Sequence, residues 1–183
     1  NLTTTFTVYV NGTAVATAKD ISVTNLVLTG VASDATFTVV GSNDTSVNGG
    51  LKTVETKAWD NQYVELSLNR PADQTMPDGA AATYVANDMS LGDVDADGVL
   101  ELIVKWYPSN AQDNSSGGYT GTTVLDTYDV DWVSGQVTLL SRIDLGVNIR
   151  SGAHYTQFQV WDFDGDGKAE VAIKTADGTT SYD

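Results

Sequence analysis

No cysteine occurs in this chain, so no disulfide framework holds it together. That absence does not exclude secretion, because secreted bacterial enzymes commonly lean on bound calcium instead. Positive charge is scarce as well. Nine Lys and Arg stand against 24 Asp and Glu, with a single His, for a net charge of −15. Such a surface repels nucleic acid and anionic membranes and excludes both as partners. Long apolar runs are also missing, and none approaches the ~18 residues that a membrane-spanning helix needs. No signal peptide is visible, and the strand-like run from Leu2 to Val10 reads as a trimmed start.

What remains is enough for a packed core. The chain has 183 residues, 41% of them apolar. Its charge is uneven: residues 1–80 carry 4 basic and 8 acidic side chains, residues 81–183 carry 5 and 16. The second part therefore attracts cations, and a divalent ion would relieve its self-repulsion.

The first 60 residues read as strands. Thr5 to Val10 is β-branched and aromatic, Asn11-Gly12 is a strong hairpin signal, and Thr13 to Thr17 is the return arm. Asn25 to Leu28, Ala35 to Val40 and Lys52 to Lys57 are further strand candidates, separated by Gly, Asn, Asp and Ser clusters. Thr and Val dominate and no helical period appears, which predicts part of a small β-sandwich. Tyr63 to Leu68 alternates like one extended strand before Pro71 and Pro77 break the pattern. A boundary is expected near residue 60, with 61–80 as a connecting segment and 81–183 as a second domain.

That second part repeats itself at an offset of 69 residues. Asp93, Asp95, Asp97, Gly98, Glu101 and Lys105 fall on Asp162, Asp164, Asp166, Gly167, Glu170 and Lys174. The apolar runs Leu102-Ile103-Val104 and Val171-Ala172-Ile173 align too. Thr123 to Trp132 and Gln136 to Leu145 predict a hairpin about Ser134-Gly135. An acidic loop, a buried strand, an outer hairpin and the loop again fit successive blades of a β-propeller. The length excess falls in the Gly/Ser/Asn-rich loop from Pro108 to Thr122.

Each acidic loop has the pattern D-x-D-x-D-G-x-x-E. Calcium takes six to eight oxygens, and carboxylates at positions 1, 3 and 5 converge if Gly at 6 turns the chain sharply. The expected ligands are Asp93, Asp95, Asp97, the carbonyl of Val99 and Glu101, and in the second copy Asp162, Asp164, Asp166, the carbonyl of Lys168 and Glu170. Position 12, where an EF-hand keeps a Glu, is Val104 or Ile173, and β-like apolar sequence follows. These are therefore not EF-hands or dockerin repeats, and they resemble the calcium loops on propeller blades. Ala96 stands in the first loop at a non-ligand position where Gly is usual and is expected to be harmless.

Three segments go beyond a generic calcium loop. They are A-N-D-M-S-L-G-D-V-D-A-D-G-V-L-E-L-I-V-K-W (86–106), D-N-S-S-G-G-Y-T-G (113–121), and R-I-D-L-G-V-N-I-R-S-G-A-H-Y-T-Q-F (142–158) running into the second acidic loop. Together they resemble the start of the catalytic domain of the rhamnogalacturonan lyases of polysaccharide lyase family 11. The resemblance implies an all-β chain, a small fibronectin-like β-sandwich followed by the first blades of a calcium-binding β-propeller. It implies secretion, a monomer, at least two calcium ions and an acidic plant polysaccharide, rhamnogalacturonan I, as partner. It also implies β-elimination: a base takes the C5 proton of the uronate, the C4 oxygen departs, and the carboxylate is neutralised by calcium or a basic side chain. The catalytic base is expected in later blades, so no catalytic residue is assigned within this chain. A calcium-dependent polysaccharide-binding module is the alternative.

Within the motifs, Asn87 matches a position that in the family faces substrate, and its neighbour Asp88 is a candidate calcium ligand near the groove. His154 reads either as a substrate or calcium-shell contact or as a hydrogen-bonded structural histidine at a strand start. Arg150 could pair with a substrate carboxylate or form a surface ion pair. Lys105 and Lys174, being equivalent, are expected to play the same structural role in each repeat. Asn110, Asp113 and Asn114 form a possible third calcium site, weakened because Tyr107 stands where related sequences carry Asp. Trp59, Trp106, Trp132 and Trp161 are expected in cores rather than on sugar rings.

Overall fold

The computed structural model describes residues 5–23, 25–42, 63–152 and 154–182. Among them are strands, turns and one 3-10 turn, Ala16–Ala18, with no α-helix, so the chain is all-β. It divides into two compact units, Asn1–Val64 and Glu65–Asp183.

In the first unit β1 (Phe6–Val10), β2 (Thr13–Ala14) and β3 (Phe37–Gly41) pair antiparallel in the order β2-β1-β3. Asn11 and Gly12 both take positive φ, 48° and 77°, as the tight hairpin between β1 and β2 requires. The return arm is shorter than expected, because the chain turns into Ala16–Ala18 and buries Ala18 completely. Asn25 to Leu28 is not a strand. It has no ladder partner among the described residues, and Leu26 and Leu28 instead line an open cleft of about 590 Å³ with Phe6, Val8, Ile21 and Phe37. The expected strand from Lys52 to Lys57, and Trp59, lie outside the described residues.

The second unit opens with residues 65–68, which belong to no named strand. Their burial alternates as expected, with Leu66 and Leu68 turned inward, yet they join no ladder among the described residues. A short pair, β4 (Gln74–Thr75) and β5 (Ala81–Ala82), follows. The main sheet contains β6 (Tyr84–Gly92), β7 (Glu101–Pro108), β8 (Val124–Asp131) and β9 (Gln136–Asp144) as an antiparallel meander. β12 (Thr180–Tyr182) adds to its far edge beside β9, and β10 (Phe158–Trp161) pairs with β11 (Glu170–Ile173) as a separate ribbon.

β7 lies between β6 and β8 and is buried on both faces. Leu102, Val104 and Trp106 enter a core with Tyr84, Val124, Tyr128 and Val130, against which Leu66, Leu68 and Leu139 pack. Glu101, Ile103 and Lys105 point the other way and are buried too. A side chain of this size contributes roughly 1.5–3 kcal/mol when fully buried, so this strand dominates the unit's stability. Trp106 and Trp132 sit in or against this core. Trp161 does not: it is 69% exposed, because the β10–β11 ribbon leaves that face uncovered.

One buried carboxylate organises the sheet. Asp126 on β8 is fully buried and accepts from Trp106 Nε1 at 2.6 Å and from the Tyr128 hydroxyl at 2.7 Å. Arg142 on β9 closes the set, with Nε and Nη2 each 2.7 Å from a different Asp126 oxygen, and Nη2 also donates to the Asn69 carbonyl. Hydrogen bonding to Asp126 raises the Arg142 pKa, while burial, reinforced by Asp126, raises that of Tyr128. The bidentate pair thus ties β8 and β9 to the segment before β4. Removing the guanidinium would leave a buried charge without its counter-charge. Arg142→Met is therefore expected to lower stability by roughly 3 kcal/mol, read as a reduced urea midpoint at unchanged m-value.

Candidate functional site

The two acidic loops adopt the same turn and share five bonds, to which the second adds Gly165 N to Asp162 Oδ1 at 2.7 Å. The residue at position 1 accepts from the Gly amide at position 6: Gly98 N to Asp93 Oδ2 and Gly167 N to Asp162 Oδ2, both 2.9 Å. The amides of Asp97 and Asp166 fall between the carboxylates at positions 1 and 3, at 3.1 to 3.2 Å. The amides of Val99 and Lys168 reach Asp97 and Asp166 at 2.7 and 2.8 Å. The Glu at position 9 turns back on the amide at position 2, Val94 to Glu101 at 2.7 Å and Phe163 to Glu170 at 2.8 Å. Gly98 and Gly167 make the turn possible with φ of 86° and 94°.

Carboxylate oxygens converge as a result. Those of Asp162, Asp164, Asp166 and Glu170 lie within 4.8 Å of one another, as do those of Asp93, Asp95 and Glu101. Each oxygen accepting one amide proton keeps lone pairs for a cation. The donors are all hard oxygens with no thiol or imidazole, a set suited to a hard divalent ion. Asp97 stands outside the first group. Glu101 is buried, and burial raises its pKa; the charges of Asp95, Asp97 and Asp93 add to this, and the Val94 amide opposes it. Both groups could hold a metal ion.

The loops also touch. The Ala169 amide, between positions 7 and 9 of the second loop, donates to the Asp93 carbonyl in the first at 2.7 Å. Gly92 permits this approach. A Cβ there would lie 2.5 Å from Val160 Cγ1 and 2.8 Å from Ala169 Cβ. The sequence repeat thus becomes a physical contact between copies, which the 69-residue offset alone did not reveal.

A second feature lies on β6. Ala86 pairs with Trp106 and Met89 with Val104, so Asn87 and Asp88 together oppose Lys105 in a β-bulge. Asn87 is exposed at this kink. Asp88 joins neither carboxylate group. Its Oδ2 pairs with Lys105 Nζ, because an ammonium on a side chain only 2% exposed requires a counter-charge. The expected equivalence of Lys105 and Lys174 also fails. Lys174 is exposed, since β11 ends at Ile173 and nothing covers the residue beyond it.

Arg150 is engaged by the chain's own backbone. Its guanidinium donates to four backbone carbonyls, those of Gln112, Asp113, Ser116 and Gly118, at 2.8 to 3.2 Å. It is a clamp on the long loop after β7. Tyr155, a residue the sequence reading passed over, fastens the same loop. Its hydroxyl donates to Asp113 Oδ1 at 2.7 Å and accepts the Asn114 amide at 2.9 Å. The Tyr155 hydroxyl is the main cause of a lowered Asp113 pKa, to which His154 adds. With Asp113 so engaged, and Asn110 bonded to Gly121 N and facing Tyr119 O, the proposed third acidic site is a hydrogen-bonded loop. His154 is exposed in a turn, not at a strand start.

An all-β chain that builds one carboxylate turn twice and joins the copies by a backbone bond is a repeat protein with cation-type loops. Comparison with known proteins places it further. A model described as rhamnogalacturonan lyase family 11, C-terminal domain, matches residues 63–183. The chain is 49% identical over 181 residues to the rhamnogalacturonan endolyase YesW of Bacillus subtilis, covering 98% of this chain and 28% of that protein. It is 44% identical over 180 residues to the exolyase YesX of the same organism, covering 97% and 28%. The crystal structure of exotype YesX aligns with a TM-score of 0.73 over 97% of this chain and 28% of that one, at 44% identity. The Bacillus licheniformis rhamnogalacturonan lyase PL11 aligns at 0.71 over 96% and 29%, also at 44% identity. The chain belongs to rhamnogalacturonan lyase family 11, and it spans 28% of the length of these curated relatives.

Ala96 is not harmless. It sits at φ 66°, where its counterpart Gly165 sits at 80°. A Cβ in the left-handed region costs about 1–2 kcal/mol. Ala96→Gly is expected to stabilise the chain by about 1 kcal/mol after the extra chain entropy of glycine is counted, seen as a higher Tm in chelator. Gly92→Ala, which drives a methyl into Val160 and Ala169, is expected to lower stability by roughly 1–3 kcal/mol in the same assay.

Proposed function

We propose that this chain is a calcium-organised part of a secreted rhamnogalacturonan lyase, acting with the rest of that enzyme on rhamnogalacturonan I. The observation that carries the reading is the doubled carboxylate turn lying within the family match. In this reading residues 1–60 belong to a fibronectin-like β-sandwich, 61–80 connect, and 81–183 begin a β-propeller. The open apolar cleft of the three-stranded sheet suits a sandwich half, and the meander β6–β9 suits one blade. The enzyme is read as a monomer.

Calcium would be held by Asp162, Asp164, Asp166, Glu170 and the Lys168 carbonyl, and by Asp93, Asp95, Glu101 and the Val99 carbonyl, with Asp97 turning in. A bound ion supplies positive charge that relieves the carboxylate repulsion and rigidifies both turns. The chain's own groups set the turns through the amide bonds described above and present Asn87 to the polysaccharide. The elimination itself needs a base at the uronate C5. Lys105 is occupied by Asp88 and Arg150 by four carbonyls, so neither is available for that task. This favours a division of labour in which the chain alone binds the polysaccharide without cleaving it.

Thermal melting tests the calcium sites. At a hundredfold excess over the dissociation constant an ion should stabilise the fold by roughly 2.7 kcal/mol per independent site. Asp95→Ala and Asp164→Ala should each remove a part of that shift. No shift in the unsubstituted chain would refute the sites. Incubated with rhamnogalacturonan I, the chain alone is expected to give no ultraviolet absorbance from unsaturated uronate. A rise in absorbance would overturn the division of labour and place a base within these residues.

A further inference from the structure

We infer that Lys105 is a positioning residue for the polysaccharide contact at Asn87, holding the β6 bulge in place and cancelling the charge of Asp88 at its mouth. The inference rests on the reading of the Asn87 face as a carbohydrate contact. It goes beyond that reading by giving the buried lysine beneath it an electrostatic task.

Lys105 lies on β7 opposite the two bulge residues, and its side chain is 2% exposed. Burying an ammonium is unfavourable unless a counter-charge and hydrogen-bond acceptors surround it. Asp88 supplies the charge from the bulge, and the Tyr155 carbonyl lies 3.5 Å from Nζ. Tyr155 is itself fixed. Its ring lies over Gly152, where a Cβ would come within 2.4 Å of it, and its hydroxyl is bonded to Asp113. The next residue, Thr156, is buried at φ 59°, a conformation that a β-branched residue keeps only when its surroundings impose it. One ammonium therefore joins the bulge to the turn that carries Tyr155, and through Tyr155 to the loop that Arg150 clamps.

The charge balance matters as much as the geometry. Asp88 keeps 46% of its side-chain surface in solvent, next to the exposed Asn87, in a chain of net charge −15. A uronate arriving at Asn87 would meet a bare carboxylate if Lys105 were absent. With the lysine beneath it, the bulge presents an amide and a neutralised acid. The repeat supplies a contrast, because Lys174 at the matching position is exposed. Burial of the lysine thus belongs to the bulge and not to the repeat.

The test is a charge ladder read by NMR and calorimetry. Wild type, Asp88→Asn, Lys105→Met and the double variant Lys105→Met/Asp88→Asn are titrated with an oligosaccharide of alternating rhamnose and galacturonic acid. The Asn87 side-chain amide is followed at low and high salt. The expected order of low-salt affinity is Asp88→Asn above wild type and the double variant, with Lys105→Met lowest, each unit of charge changing affinity by roughly tenfold. High salt is expected to compress the ladder. A purely structural lysine would produce no ordering by charge and no compression. If Lys105→Met fails to fold, the step from wild type to Asp88→Asn decides, and if Asp88→Asn fails, the step from wild type to Lys105→Met decides. Equal affinities and equal salt slopes, with Asn87 still shifting in wild type, would overturn the inference alone. No shift at Asn87 in wild type would overturn the carbohydrate-contact reading and the inference with it.

Discussion

Glu101 begins β7 with its carboxylate turned back onto the amide of Val94, and much of the second unit depends on that bond. It closes the acidic loop at the residue where the buried strand starts. The pairing of Gly92 with Glu101 and of Leu102 with Tyr128 then fixes which of the following residues face the core. A slip of one residue would exchange Leu102, Val104 and Trp106 for Glu101, Ile103 and Lys105. The bond comes with an electrostatic cost. Glu101 is buried among three other carboxylates, and its charged form is disfavoured there. A cation would reverse that balance, so the same atoms that set the strand register could also hold an ion.

From that point the chain supports itself in two directions. Across the sheet, Asp126 gathers Trp106, Tyr128 and Arg142, so β7, β8 and β9 share one buried charge pair. Along the repeat, the Asp93 carbonyl receives the Ala169 amide, and Gly92 leaves room for the contact. Order in one loop is thereby passed to the other through a backbone bond. On the neighbouring face, Lys105 and Tyr155 link the bulge to the clamped loop after β7. The proposed polysaccharide contact therefore stands on rigid elements, as a binding group must if its geometry is to persist.

The features legible in the sequence are those decided locally. Two acidic loops with Gly at position 6 were readable because each ligand turn is built from its own few residues. The hairpin β8–β9 was readable from strand residues flanking Ser134-Gly135. Features decided by distant neighbours were not. Asn25 to Leu28 has strand composition but no partner to pair with among the described residues. Lys105 and Lys174 match in sequence and differ in burial, because only β7 is covered on both sides. Arg150 looked like a ligand for anions, yet four carbonyls of a loop more than thirty residues away take its protons. Ala96 looked neutral because its strain lies in φ, which a residue list does not display.

The central claim is that both loops are ion sites built by the same bonds. The most direct measurement is a calcium titration of the labelled chain that follows the amide resonances of Gly98 and Gly167, each bonded to the first carboxylate of its loop. The account predicts that both resonances move and saturate, with dissociation constants on the order of 0.1–1 mM as in extracellular modules. If neither saturates, or if only one does, the doubled site is contradicted.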